Sequence, residues 1–371
     1  MKRILFTILL ALTVALSACA ETTIEDEIPT CDDGFELVDD TCVETADDTG
    51  ETPDDNDNPQ DDDPIDDDPV DDDPLDDDPV NDDPVDDDPV DPRYENITAG
   101  MFGYEPFTFD GLTREYILYL PDDLIPGSPL VFMLHGFSGN AGYMQATSGM
   151  NDLADLYGFA VVYPQGSSIN GIPHWNADLD LSVVDDVGFL SALAAHLQTT
   201  YDLSVENTFI AGHSNGGFMA YTMACTSPAT FQAIASFAGI MSGETWDTCA
   251  TTEPVSVLHM HGTADPVVPD DGTMAPWLGW GGAPAVPIML EYWQTRNALE
   301  LASEAMVSAT IQRFDYTSAS NPYRVTYYRL LNMGHEWPQD DEIMPDDDDL
   351  NDTSQRIWQF FETVMSDADV S

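Results

Sequence analysis

The chain has 371 residues, of which 70 are Asp or Glu and nine are Lys or Arg, giving a net charge of −61 at pH 7. A balance this acidic repels phosphates and anionic headgroups, which argues against nucleic acid or an electrostatically held membrane as partner. Hydrophobic residues still make up 43% of the chain, enough for one large core.

The first predicted element is an export signal over residues 1–18. Met1-Lys2-Arg3 precedes an apolar run from Ile4 to Leu16, and Ser17-Ala18-Cys19 follows. A basic start, a short greasy middle and small residues at the end describe a secretory signal. At 13 residues the run is too short for a comfortable membrane-spanning helix. Leu16-Ser17-Ala18-Cys19 resembles a bacterial lipobox, which implies that Cys19 becomes a lipidated first residue. Such an anchor would hold an exported protein on the outer membrane or cell surface without spanning the bilayer. Plain secretion into the medium is the alternative destination.

Residues 19–92 read as an acidic, disordered tether. Between residues 21 and 92 there are 34 Asp or Glu and no Lys or Arg, and Asp-Asp-Asp-Pro followed by Ile, Val or Leu repeats from Asp61 to Val90. Such a chain buries too little apolar area to offset ordering, and its charges repel one another. Calcium binding by the Asp triplets is disfavoured, because the glycine turn and closing Glu of an EF-hand loop are missing. Beyond Cys19 the cysteines are Cys31, Cys42, Cys225 and Cys249. Pairing within each set is the simplest of three connectivities, and an exported protein permits it. No C-x-x-C or histidine-rich spacing suggests a zinc site.

Residues 93–371 read as one globular domain, with 36 acidic residues against seven arginines, a net charge of about −29. Short β-branched runs alternate with longer amphipathic ones, the pattern of an α/β sheet with helices on both faces. Strands are expected at Tyr116 to Tyr119 (an edge), Leu130 to Leu134, Gly158 to Pro164, Phe209 to Ala211, Ala233 to Gly239, Val255 to Met260 and Val325 to Leu331. Helices are expected at Met150 to Tyr157, Val187 to Tyr201, Gly217 to Ala224, Ile288 to Ala298 and Ser354 to Val364.

Between a strand and a helix stands Gly212-His213-Ser214-Asn215-Gly216, the G-x-S-x-G pattern of a nucleophile elbow. The glycines are needed where a side chain would strike neighbouring backbone, and the turn sets Ser214 at a helix N-terminus that favours a developing oxyanion. A serine hydroxyl needs a base, and the base needs a carboxylate to orient it. In chain order Asp265 follows the strand ending at Met260, and His335 follows the last strand. The spacings of 51 and 70 residues leave room for one βα excursion each. Asp270 and Asp271 compete with Asp265 but lie further from the strand end. His259 and His261, alternating on a buried strand, read as satisfied core residues, and His213 reads as packing beneath the elbow. Asp185 and Asp186 read as N-cap residues. The oxyanion would be held by the N–H groups of Asn215 and, in the loop after His135-Gly136, of Phe137, a role in which the side chains are uninformative.

Seven stretches in this order resemble the family of secreted esterases that includes polyhydroxybutyrate depolymerases and feruloyl esterases. They are Leu134-His135-Gly136, Tyr163-Pro164-Gln165-Gly166, His174-Trp175-Asn176, Val184 to Phe189, Gly212 to Gly217, His261 to Pro269 and Gly334 to Pro338. The resemblance spans residues 99–365. It implies an α/β-hydrolase fold, a Ser214/Asp265/His335 triad, no cofactor and no metal, a Cys225–Cys249 disulfide, and Trp175 and Trp337 lining the acyl or aromatic-acid pocket. The chain departs from the family pattern at Glu336 and at Ala177-Asp178-Leu179-Asp180, both at the expected pocket rim. The function expected is that of an extracellular serine carboxylesterase acting on a polymeric or polymer-linked ester, as a monomer. The ester would be a polyhydroxybutyrate-like polyester, or feruloyl or acetyl groups on plant polysaccharide. A serine peptidase on the same scaffold and an inactive surface binding protein are the alternatives.

Overall fold

A computed structural model describes residues 103–251, 253–338 and 352–370, together with strands β1 (Phe35–Val38), β2 (Thr41–Glu44) and β3 (Gly100–Met101). Cys19, Cys31, the side chain of Cys42, the signal and the Asp-Asp-Asp-Pro repeat fall outside the described residues. The chain divides into two compact units, Met1–Asp83 and Pro84–Ser371. In the first, β1 and β2 pair antiparallel with Phe35 opposite Glu44. The tether reading expects no regular element there; Phe35-Glu36-Leu37-Val38 and Thr41-Cys42-Val43-Glu44 carry enough apolar and β-branched residues to pair across Asp39-Asp40.

The second unit continues with β4 (Glu105–Phe109), β5 (Leu112–Leu120), β6 (Leu130–Leu134), α1 (Ala141–Ser148), α2 (Met150–Tyr157) and β7 (Ala160–Pro164). A small hairpin of β8 (Ser167–Ile169) and β9 (Ile172–His174) follows, then α3 (Asp186–Tyr201), β10 (Thr208–His213), α4 (Asn215–Thr226), β11 (Ala233–Phe237), α5 (Gly243–Thr248) and β12 (Ser256–Gly262). Next come α6 (Val286–Arg296), β13 (Glu300–Met306), β14 (Ile311–Thr317), β15 (Val325–Leu330) and α7 (Asp352–Val370). Among the described residues one sheet runs β13-β14-β15-β12-β11-β10-β6-β7-β5-β3, with β4 also on β5. From β7 to β15 the central strands are parallel, while β5 and β14 join antiparallel at either side.

The parallel strands are apolar throughout because both faces are covered, and alternate side chains feed two separate cores. Leu130, Phe132 and Leu134 face one core with Leu193 of α3, Phe218 of α4 and Trp293 of α6. Val131 and Met133 face the other with Leu153 of α2 and Phe361 of α7. Phe361 stacks on Phe209 of β10 at 4.5 Å between ring centres, a contact worth roughly 1 kcal/mol beyond area burial.

One strand expectation needs correction, and β4, the β8–β9 hairpin, the β13–β14 hairpin and helices α1 and α5 have no counterpart among the expected elements. Tyr116 to Tyr119 lies within β5, which is not an edge: β7 pairs on one side and β3 and β4 on the other. The reason is local, because Asp110-Gly111 turns with positive φ at both residues (47° and 74°) and folds β4 back onto β5. All seven residues of β13 are exposed, and Glu-Leu-Ala-Ser-Glu-Ala-Met carries helix formers, so only its pairing makes it a strand.

Candidate active site

The elbow forms where β10 runs into α4. Ser214 adopts φ 52° and ψ −120°, in the left-handed half of the map, and its N–H donates to the Phe237 carbonyl at 2.8 Å. Glycine is obligatory on both sides of it. A Cβ at Gly212 would lie 2.3 Å from the Gly216 carbonyl carbon, and one at Gly216 would lie 2.4 Å from the Leu134 carbonyl oxygen. The close approach lets α4 start directly over the end of β6, and it leaves Ser214 only 9% exposed.

β12 and β15 are parallel neighbours, so the loops after them emerge side by side. They are stitched together by Thr263 N–H to the Leu330 carbonyl and Ala264 N–H to the Met333 carbonyl, both 2.9 Å. Asp265 rises from the first loop and His335 from the second. The Ser214 hydroxyl donates to His335 Nε2 at 2.8 Å, and His335 Nδ1–H donates to Asp265 Oδ2 at 2.7 Å. The other carboxylate oxygen, Oδ1, accepts the N–H groups of Val267 and Val268, each at 2.8 Å. Burial alone would raise the Asp265 pKa; the His335 bond and charge and the two backbone donors outweigh it and hold the acid below its ordinary 3.8. Asp271 instead accepts from Thr273 in an exposed turn.

A Cβ on Gly136 would sit 3.4 Å from the Ser214 Cβ, so the loop after β6 abuts Ser214. The N–H groups of Phe137 and Asn215 meet no protein acceptor among the described residues. Side chains prove informative here after all. Asn215 Oδ1 accepts the Trp175 N–H at 2.7 Å while its Nδ2 donates to the Trp175 carbonyl at 3.0 Å. Trp175 Nε1–H donates to the His135 carbonyl at 3.0 Å, and Gly166 N–H donates to His135 Nε2 at 3.0 Å. The His135 ring therefore carries its proton on Nδ1, bonded to the Gly136 carbonyl, and burial pushes its pKa down to about 4.

The two tryptophans depart from their expected place at the pocket wall. Trp175 has no accessible surface and braces the loop of His135; Trp337 is 6% exposed and packs edge-on against His213 at 5.9 Å. His213 does more than fill space. Its Nε2–H donates to the His335 carbonyl at 2.8 Å, which ties the elbow to the histidine loop. Burial and the neighbouring His335 push its pKa down to about 4.

Of the two acids at the start of α3, Asp185 is the N-cap, accepting the Gly188 N–H at 2.7 Å. Asp186 is not a cap. Its Oδ1 accepts from Arg114 Nη2 and its Oδ2 from the Asn176 N–H, both at 2.7 Å, while the guanidinium lies 3.9 Å over the Phe189 ring. Sequence reasoning missed this pair; the only available signal was a lone arginine in an apolar strand of an arginine-poor chain. Asn176, Asp178, Asp180, Glu244 and Asp247 line a cavity of about 430 Å³ that touches none of Ser214, Asp265 and His335. Its lining includes Asn176, next to Trp175, and Asp178, Leu179 and Asp180 of one stretch where the chain departs from the family pattern.

Cys225, at the end of α4, and Cys249, just after α5, form a disulfide. The parallel sheet, the elbow and the flanking helices define an α/β-hydrolase. Residues 114–306 match the family described as Esterase PHB depolymerase, and the chain belongs to that family. The match includes Ser214 and Asp265 and stops short of His335. The chain is 31% identical over 158 residues to a bifunctional acetylxylan esterase/xylanase of Neocallimastix patriciarum, covering 43% of this chain and 22% of that protein. It is 32% identical over 178 residues to feruloyl esterase C of Emericella nidulans, covering 46% and 63% respectively. The matched region thus spans less than two thirds of either relative. Among solved structures, an acetyl xylan esterase from Aspergillus awamori aligns over 71% of this chain and 100% of its own with a TM-score of 0.52 at 14% identity, a likeness of fold.

Proposed function

We propose that the protein is an exported serine carboxylesterase in which Ser214, His335 and Asp265 carry the reaction. The observation that supports this most is the unbroken line from the Ser214 hydroxyl through His335 to Asp265 on a strained elbow. Ser214 Oγ bonds to the ester carbonyl carbon as its proton passes to His335 Nε2. The carbonyl oxygen gathers negative charge and accepts from Phe137 and Asn215 N–H. Collapse breaks the ester C–O bond, and the leaving alkoxide takes the proton from His335. Water, deprotonated by the same imidazole, then attacks the acyl-enzyme and frees Ser214. Asp265 stabilises the imidazolium in both halves.

For the substrate, the acidic cavity supports a hydroxyl-rich alcohol over an apolar polyester, because carboxylates and Asn176 can accept hydrogen bonds from sugar hydroxyls. The proposed substrates are therefore acetyl or feruloyl esters of plant polysaccharide. Export is supported by the basic-apolar-small N-terminus and by the Cys225–Cys249 bond, which needs an oxidising compartment.

Ser214→Ala should lower the hydrolysis of p-nitrophenyl acetate by at least about a thousandfold, and wild-type turnover by that variant would end the reading. Turnover of acetylated xylan and methyl ferulate should exceed that of polyhydroxybutyrate; the reverse order would overturn the substrate assignment but not the chemistry.

A further inference from the structure

Three buried polar side chains that take no part in the reaction stand in line behind the acid loop. Tyr221 Oη lies 2.8 Å from His259 Nδ1, His259 Nε2 lies 3.1 Å from His261 Nδ1, and His261 Nε2 lies 2.7 Å from the Val268 carbonyl oxygen. All three side chains are enclosed. Burial, followed by the neighbouring imidazole, pushes His259 far below the ordinary 6.5, and burial likewise lowers His261, so both rings are neutral.

Neutral rings leave one solution for the protons. A carbonyl only accepts, so His261 Nε2 carries hydrogen and its Nδ1 is bare. His259 must then donate from Nε2, which leaves its own Nδ1 to accept the Tyr221 hydroxyl. The bonds run in one direction, from α4 to the loop after β12. At the far end, Val268 is the residue whose N–H holds Asp265 Oδ1, and His261 Nε2 is itself 3.6 Å from Oδ2, the oxygen that His335 uses. At the near end, Tyr221 is seven residues along the helix that Ser214 begins.

We propose that Tyr221, His259 and His261 form a positioning relay that fixes the triad acid relative to the nucleophile's own helix. This rests on the reading of Ser214, His335 and Asp265 as the reacting groups. The relay touches no substrate. It acts by holding Val268, and through it the carboxylate, in register with His335, and a shift of the acid by a fraction of an ångström weakens the line to Ser214.

The test uses the full-length protein and p-nitrophenyl acetate. Tyr221→Phe removes one oxygen and leaves His259 Nδ1 without a donor; kcat should fall about ten- to a hundredfold with KM within about twofold. His261→Leu should fall further, and His261→Gln, which can still donate to the Val268 carbonyl, should recover most of the loss. In ¹⁵N-histidine NMR of the wild-type protein at pH 7, His259 and His261 should both appear as neutral Nε2–H tautomers. The relay is overturned if Tyr221→Phe keeps wild-type kcat while Ser214→Ala is dead, or if either ring is cationic or Nδ1–H. A Ser214→Ala variant that stays active would instead overturn the underlying assignment. Should His261→Leu fail to fold, Tyr221→Phe and the tautomer spectrum still decide.

Discussion

At the scale of single residues, the reactivity proposed for this site depends on groups held where they would not rest alone. Ser214 sits at φ 52°, a conformation that costs a non-glycine residue on the order of 1–3 kcal/mol and persists because β11 holds its N–H and the elbow glycines leave no alternative path. Asp186 shows the opposite balance. Burial raises its pKa despite Arg114 and the Asn176 N–H, so its carboxylate depends on its partners. Arg114→Met should destabilise the fold by about 3–5 kcal/mol in urea titrations, because an uncompensated acid is left enclosed. Arg114→Met with Asp186→Leu should recover most of that. Equal losses in the single and double variants would show that the ion pair is not what holds the Trp175-Asn176 loop against α3.

At the scale of elements, two connections keep the site's parts in register. The loops after β12 and β15 are bonded to each other, which makes the acid and the histidine one unit. The Cys225–Cys249 bridge ties the end of α4 to the end of α5 across a separation of 24 residues. A loop of that length restricts the unfolded chain by about 3 kcal/mol. Cys225→Ser with Cys249→Ser should therefore lower the unfolding free energy by about that amount. A loss below about 1 kcal/mol would mean that the α4–α5 packing suffices without the bond. The central strands and helices α2, α3, α4 and α6 of this unit were legible from periodicity, to within a residue or two at most ends, whereas α7 runs six residues past its expected end and the short helices α1 and α5 have no counterpart among the expected elements. The turn into β5 carries a local signal too, since Asp110-Gly111 is a hairpin dipeptide that makes β4 legible. β13 was not legible, because nothing in Glu-Leu-Ala-Ser-Glu-Ala-Met prefers a strand until β14 offers hydrogen bonds.

At the scale of the whole molecule, the protein is acidic outside and keeps neutral histidines inside. His135 and His213 are held at about 4, and His259 and His261 are also lowered, each chiefly by burial. The unfolded chain protonates these rings near the ordinary 6.5 while the fold refuses them, so the unfolded state binds more protons below that pH. Stability is therefore complete above about pH 6.5 and is lost as pH falls toward 4, by on the order of 3 kcal/mol for the enclosed His135 and less for His213, which keeps some solvent contact. Asp265 adds to the loss only at lower pH, when its depressed carboxylate titrates, and Asp186 opposes it. The melting temperature should drop between pH 7 and pH 5, and His213→Gln should flatten that slope. A melting temperature that rises over this range would mean that relief of carboxylate repulsion dominates instead.

The amino-acid sequence by itself determined the strand–elbow–helix around Ser214, because Gly212 and Gly216 are demanded by backbone contacts within a few residues. It also determined the alternation of buried strands and amphipathic helices, which is a record of local burial. Only the tertiary structure decided which of Asp265, Asp270 and Asp271 meets His335, since that depends on β12 and β15 being neighbours across about 65 residues of intervening chain. The same is true of Trp175 as a brace rather than a wall, of Asp186 as Arg114's partner, and of the line from Tyr221 to Val268. Each joins groups far apart in the chain, and periodicity carries no information about which distant side chain will lie within hydrogen-bonding reach.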